Sequence, residues 1–296
     1  MADTFADIME AARNKAAKRL AVPSVKKQDM DVLSRAAKEG LIVPVLVGDG
    51  KAVEALVKKS ALQSLEYEIV GVKDSGGSLG TAVALVREGR ADMLMQGAVD
   101  QKTFMKTVLD AKTGLLKDKL ASYVSVFELP KSEKLILVAD TFVNNYPGLT
   151  EKQLILAHAI KLAGLLGISA PKAAVLAAIE QVNPSIPSTL DAAILAKMSE
   201  RKQFGSAVVD GPLDIDCALS HAAAERKGVN SVVTGSVDIY LVPEIESGYL
   251  LAQSLVFFGR MEMAGVLMGM TKPVIVNLPF ISRENRLVEI ALATLL

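Results

Sequence analysis

The stretch LIVPVLV (41–47), closed by Gly48-Asp49-Gly50, decides the fold. An unbroken apolar run of this length, ended by turn residues, marks a strand covered on both faces. Such strands belong to parallel sheets with helices on either side. Outward from it, short apolar runs alternate with helical patterns. Residues 51–59 read as a helix, 66–72 as a strand, and 78–88 as a helix closed by Gly89. Residues 92–97 form a strand entering a glycine turn, and 100–110 a helix. Residues 122–129 and 135–140 read as adjacent strands separated by Pro130 and charged residues. Upstream, residues 1–20 read as one amphipathic helix, acidic early and basic late.

After Pro147 the rhythm restarts. A helix over 150–166 opens on a Thr150 cap and closes at Gly167. A strand follows at 173–179, a helix at 188–200 capped by Ser188 or Thr189, a strand at 206–211 and a helix at 213–225. The spacing then predicts a strand at 237–243, a helix at 245–258, strands at 264–270 and 273–278, and a last helix at 283–296. This alternation predicts an α/β protein of two lobes, with mostly parallel sheets and helices on both faces. Residues 1–139 with 265–296 make the first lobe and 140–264 the second, the loop 144–148 marking the boundary.

Lys+Arg and Asp+Glu both number 33, so the chain carries no basic excess of the kind nucleic-acid binding leaves. Cys217 is the single cysteine, which excludes an intrachain disulfide and fits a reducing compartment. The N-terminus lacks the apolar core of a signal peptide. The most apolar late stretch, 250–270, is broken by Gln253, Arg260 and Glu262 and is no membrane span. A cytoplasmic protein is expected.

Ligands of open parallel sheets bind beyond the carboxyl ends of strands. That rule selects the loops QGAVD (96–100), ADTFVNNYP (139–147), EQVNPSIPS (180–188), DGPLDID (210–216), VPEIESG (242–248) and NLPFISREN (277–285). Gly97 serves a close approach of backbone to ligand, or simply a turn. Asp140, Thr141 and Asn144 are placed to hydrogen-bond a polar substrate, though Asx and Ser/Thr turns have the same composition. Gly211-Pro212, read as the first turn of a helix that includes Asp216, offers free N–H groups to an anion. Glu244, Glu246 and Gly248 open another helix, where acidic residues are common for the helix dipole alone. His158 and His221 have no Cys or His at ligand spacing, so no metal site is expected. Glycine-rich dinucleotide and Walker A patterns are absent from the sequence.

Taken together, the stretches 89–115, 121–130, 175–193, 208–220 and 238–258 resemble the phosphate acetyltransferase/phosphate butyryltransferase family, the butyryl branch most closely. The likeness is collinear from about residue 28 to the end. It implies a fold like that of isocitrate and isopropylmalate dehydrogenases, an interlobe cleft and a homodimer. It also implies reversible transfer of an acyl group between coenzyme A and inorganic phosphate, both as substrates, with no permanently bound cofactor. Relatives use a Ser-Arg pair near the C-terminus. Here Leu278-Pro279 stand in that place, and Ser282-Arg283 follow four residues later, so these two are the candidate catalytic residues. Gly97, Asp140, Thr141, Asn144, Gly211, Pro212, Asp216, Glu246 and Gly248 are the candidate substrate contacts. Gln96, Tyr249 and Gln253 stand where butyryl-type relatives have lysine, asparagine and lysine. The competing reading is a family member that binds a ligand or partner without catalysis.

Overall fold

The computed structural model describes residues 2–72, 75–129 and 134–296. The separator read at 130–133 lies outside the described residues. In chain order, helix α1 (Phe5–Arg13) leads into strand β1 (Lys18–Pro23), α2 (Lys27–Lys38), β2 (Ile42–Gly48), α3 (Gly50–Val57), β3 (Glu68–Gly71), α4 (Ser78–Arg87), β4 (Met93–Met95) and α5 (Gln101–Val108). Then come β5 (Ser122–Glu128), β6 (Leu135–Ala139), α6 (Leu149–Leu165), β7 (Lys172–Leu176), α7 (Pro187–Glu200), β8 (Val208–Leu213), α8 (Ile215–Leu219), α9 (His221–Arg226), β9 (Ile239–Leu241) and α10 (Ile245–Phe257). Strands β10 (Glu262–Met268) and β11 (Val274–Ile275) and helix α11 (Arg283–Leu295) complete the chain. The protein is mixed α/β. Among the described residues no helix is long and apolar enough to cross a membrane.

Two units can be separated. The first comprises Phe5–Ala121 and Ala264–Leu296, the second Met1–Thr4 and Ser122–Met263. In the first, the strand order is β3-β2-β1-β4-β11-β10, parallel except for the β10–β11 pair. In the second the order is β5-β6-β9-β7-β8, parallel except for β5–β6. Apart from the segment up to Thr4, the second unit therefore runs from Ser122, not from residue 140. The physical reason is strand pairing: β5 runs antiparallel to β6, which pairs with β9.

The decisive stretch behaves as read, with β2 buried along nearly its whole length. Residues 1–20 do not form one helix. The helix stops at Arg13, and Lys18–Pro23 is the strand beside β2, its Leu20, Ala21 and Val22 fully buried. The segment 213–225 is likewise not one helix but the short α8 and α9, joined at Ser220. Helix α6 is capped by the backbone of Gly148 rather than by Thr150. Helix α7 starts at Pro187, so neither Ser188 nor Thr189 is its cap. The Thr189 hydroxyl instead bonds the Ile186 carbonyl at 2.8 Å and accepts from the Asn183 N–H at 2.9 Å.

Candidate functional site

In the first unit, the chain leaves β4 at Gln96-Gly97 and β11 at Asn277, on neighbouring parallel strands. Gly97 has φ +61°, and a Cβ there would lie 1.9 Å from the Pro23 carbonyl oxygen. The glycine is thus required by backbone packing at the end of β1. Gln96, nearly buried, ties the two loops together: its Nε2 donates to the Val99 carbonyl at 2.8 Å, and the Asn277 N–H donates to its Oε1 at 2.9 Å. Asn277 Nδ2 also donates to the Gly97 carbonyl at 3.0 Å.

A cavity of about 250 Å³ adjoins these loops, with Gln28, Asp29, Met95, Asn277, Ser282 and Arg283 among its lining. Ser282 is the N-cap of α11, its Oγ accepting from the Asn285 N–H at 3.1 Å. A hydroxyl that accepts one bond keeps its own proton to donate. Arg283 is exposed, and no hydrogen bond or ion pair engages its guanidinium among the described residues. Arg286, one turn on, is committed: it donates to the carbonyls of Val276 (2.9 Å) and Leu278 (3.2 Å) and pairs with fully buried Glu289. Burial pushes the Asp29 carboxyl above its ordinary value.

In the second unit, β6 is followed directly by Asp140, which is 2% exposed. Its carboxylate accepts from the N–H groups of Tyr123 (3.1 Å), Phe142 (2.9 Å), Val143 (3.1 Å) and Asn144 (3.1 Å), and from the Asn144 side-chain amide. Burial pushes its pKa up, and these donors pull the other way. Thr141 shares a 2.7 Å hydrogen bond with buried Ser125. The Asp140 carboxylate thus closes an Asx turn over residues 142–144. Gly248, early in α10, permits contact with the same loop, since a Cβ there would lie 2.5 Å from the Asp140 carbonyl oxygen. Glu244 caps α10 by accepting from Glu246 N–H (2.7 Å) and Ser247 N–H (2.9 Å). Glu246 is exposed and accepts from the Tyr146 hydroxyl at 3.4 Å.

Gly211-Pro212 sit inside strand β8, joined by a cis peptide, and not at a helix N-terminus. The five-residue α8 begins only at Ile215, behind an Asp214 cap. Gly211 and Pro212 therefore present no helix N-terminus to an anion.

Asp216 belongs to a cluster that sequence reading did not assemble. Lys227 Nζ donates to Glu180 (2.9 Å), Asp216 (2.8 Å) and Asp214. Ligand atoms of Glu180, Asp214, Asp216 and buried Cys217 lie within 4.8 Å of one another, and the lysine ammonium is the cation they hold. The bond from Lys227 holds the Glu180 carboxyl down at about 2, and burial followed by the neighbouring carboxylates pushes the Cys217 thiol up to about 12. No linear signal marks this cluster, because its members come from three separate stretches, at 180, 214–217 and 227.

A pH effect follows. The native pKa of Glu180 lies below its ordinary 4.5, so the stabilisation is complete above that pH and is lost as pH falls from 4.5 toward about 2. Urea unfolding at pH 6 and pH 3 should show a smaller loss for Lys227→Met than for the wild type, because the variant begins with mutually repelling carboxylates. Equal losses would remove Lys227 from this role.

The model of the phosphate acetyl/butaryl transferase family matches residues 77–294. A phosphate butyryltransferase from Clostridium acetobutylicum is 38% identical over 296 residues, covering 100% of this chain and 98% of that protein. Among solved structures, a branched-chain phosphotransacylase from Enterococcus faecalis superposes with a TM-score of 0.81 at 26% identity, over 94% of this chain and 98% of that one. A phosphotransacetylase from Streptococcus pyogenes shares the fold, with a TM-score of 0.84 at 18% identity over 99% and 98% of the two chains. The chain belongs to the phosphate acetyl/butaryl transferase family.

Proposed function

We propose that this acyltransferase moves a short-chain acyl group from coenzyme A to inorganic phosphate and back, giving acyl phosphate and free coenzyme A. The carrying observation is the full-length likeness to a phosphate butyryltransferase, with an unengaged arginine beside a cavity of the first unit. Phosphate oxygen attacks the thioester carbonyl, the C–S bond breaks, and the sulfur leaves as thiolate. Ser282 and Arg283 are the catalytic pair in this reading. The first N–H groups of α11 and the Arg283 guanidinium hold the phosphate, and the Ser282 hydroxyl donates toward the carbonyl oxygen as charge builds there. Leu278 and Pro279 offer neither charge nor side-chain donor, which is why the role passes to the later pair.

Coenzyme A and phosphate are substrates in this scheme, and no resident cofactor is required. Gly97 shapes the substrate loop proposed for the first unit. Asp140, Thr141, Asn144 and Gly248 shape the one proposed for the second, where Asp216 follows β8 and Glu246 follows β9. The reading includes a two-lobed architecture like that of isocitrate and isopropylmalate dehydrogenases and a reducing cytoplasm, which keeps both Cys217 and coenzyme A as thiols. The test is thiol release from acyl-CoA with and without phosphate.

The reading also includes a C2 homodimer. Helix α10 buries only Gly248 and Ala252, while Phe257 and Phe258 at its end are 63% and 89% exposed. Large exposed aromatics side by side suit a second copy of this chain. Light scattering at micromolar concentration should give twice the 31.4 kDa chain mass, and Phe258→Asp should shift it toward monomer. A monomeric wild type would contradict the dimer.

A further inference from the structure

The geometry points to Asp29 as the proton carrier of the cavity that Ser282 and Arg283 line, moving the proton that passes between phosphate and the coenzyme A sulfur. This rests on the acyltransferase reading above. The exchange needs such a group. As a phosphate oxygen bonds to the carbonyl carbon, the C–S bond breaks and its electron pair leaves with sulfur. Hydrogen phosphate gives up one proton and the thiolate gains one. A carboxylate that takes the first and delivers it to the second balances the step, and in reverse it takes the proton of the thiol. Arg283 keeps its own proton at any working pH and cannot serve.

Asp29, Ser282 and Arg283 line the same cavity of the first unit, whose wall is made by the start of α2 and the residues leading into α11. Helices α2 and α11 pack together, and Arg35 reaches Glu284 at 4.0 Å. An acid at the third position of a helix is ordinarily a cap, and one oxygen of Asp29 does accept from the Lys26 N–H at 2.8 Å. A cap works as well in water, however. Asp29 is only 6% exposed, and its other oxygen has no hydrogen bond among the described residues.

The charges around it do not offset that burial. Lys26 and Arg286 draw the carboxyl toward ionisation, but Lys26 is exposed and Arg286 is already paired with Glu289. Asp31, on the same cavity wall, acts the other way. Strand β2 and residues 61–64, also packed on α2, bring no charge, and Lys51 and Glu54 of α3 are exposed. Desolvation therefore wins, and the carboxyl is held above its ordinary 3.8, closer to the range where a proton is both taken and released.

The test follows acyl-CoA formation from acyl phosphate and coenzyme A between about pH 4 and about pH 9. Wild-type kcat should fall on the acid side, as Asp29 becomes protonated and can no longer take the thiol proton. Asp29→Asn keeps the shape and an oxygen for the Lys26 N–H. It should lose about 10²-fold in kcat at neutral pH, and the acid limb with it. Substrate ionisation is common to both proteins, so the difference between the profiles reports Asp29. A merely structural role would lower the profile without changing its shape. Asp29→Glu should restore part of the rate and move the midpoint of the limb, since the titrating group itself has changed. An acid limb that Asp29→Asn retains, or a midpoint that Asp29→Glu leaves in place, overturns Asp29 as the carrier alone. A wild type without phosphate-dependent thiol release overturns the acyltransferase reading, and this inference with it.

Discussion

Arg283→Ala is expected to lower kcat/KM for phosphate-dependent thiol release by about 10²–10³-fold, the usual cost of removing one group that stabilises developing charge. Phosphate and acyl-CoA both arrive as anions, and attack concentrates further charge on the carbonyl oxygen. The cavity that Ser282 lines offers two arginines. Arg286 is held by two carbonyls and by buried Glu289, so its donors are already spent. Arg283 has no such ties among the described residues and stands at the first turn of α11. Because it is exposed, its removal should change unfolding free energy by no more than about 0.5 kcal/mol. Arg283→Lys should restore only part of the rate, since a point charge cannot form the two parallel bonds of a guanidinium. An active wild type whose Arg283→Ala variant keeps full turnover would show that another cation does this work.

Gly97→Ala should destabilise the protein by roughly 2–5 kcal/mol, combining left-handed backbone strain with overpacking. The new Cβ would meet the Pro23 carbonyl oxygen at 1.9 Å, and backbone at the end of a buried strand cannot swing aside as a side chain can. Relief requires the 96–99 loop to move, which would break the Gln96 bonds to Val99 and Asn277. Urea midpoints and turnover should therefore fall together in this variant, whereas Arg283→Ala should separate them. A Gly97→Ala protein with wild-type stability would mean that the loop packs differently at Pro23.

How much was legible in the sequence depends on how local the cause was. Strand β2 announced itself because seven residues in succession are apolar and a turn follows. The start of α11 was also local, since Ser282 caps it and Arg283 begins it. Strand β1 was hidden because Lys18 and Arg19 continue the charged pattern of α1, leaving only Leu20-Ala21-Val22 as apolar signal. Gly211-Pro212 misled because proline commonly starts helices, whereas here β8 continues through both residues to Leu213. The boundary at Ser122 was invisible because it depends on β5 pairing with β6, a long-range choice. The residue types at 140–144 were visible in the sequence, but the gathering of N–H groups around Asp140 was not, because Tyr123 joins them from another strand. Lys227 gave no sign at all, since its three carboxylates lie 11 to 47 positions away in sequence.

The most direct measurement is release of the coenzyme A thiol from acetyl-, butyryl-, isobutyryl- and hexanoyl-CoA, each with and without inorganic phosphate. Phosphate-dependent release is expected, reversed by acyl phosphate plus coenzyme A. Release that ignores phosphate, or none with any of the four thioesters, would contradict acyl transfer to phosphate and favour a family member that binds without catalysing.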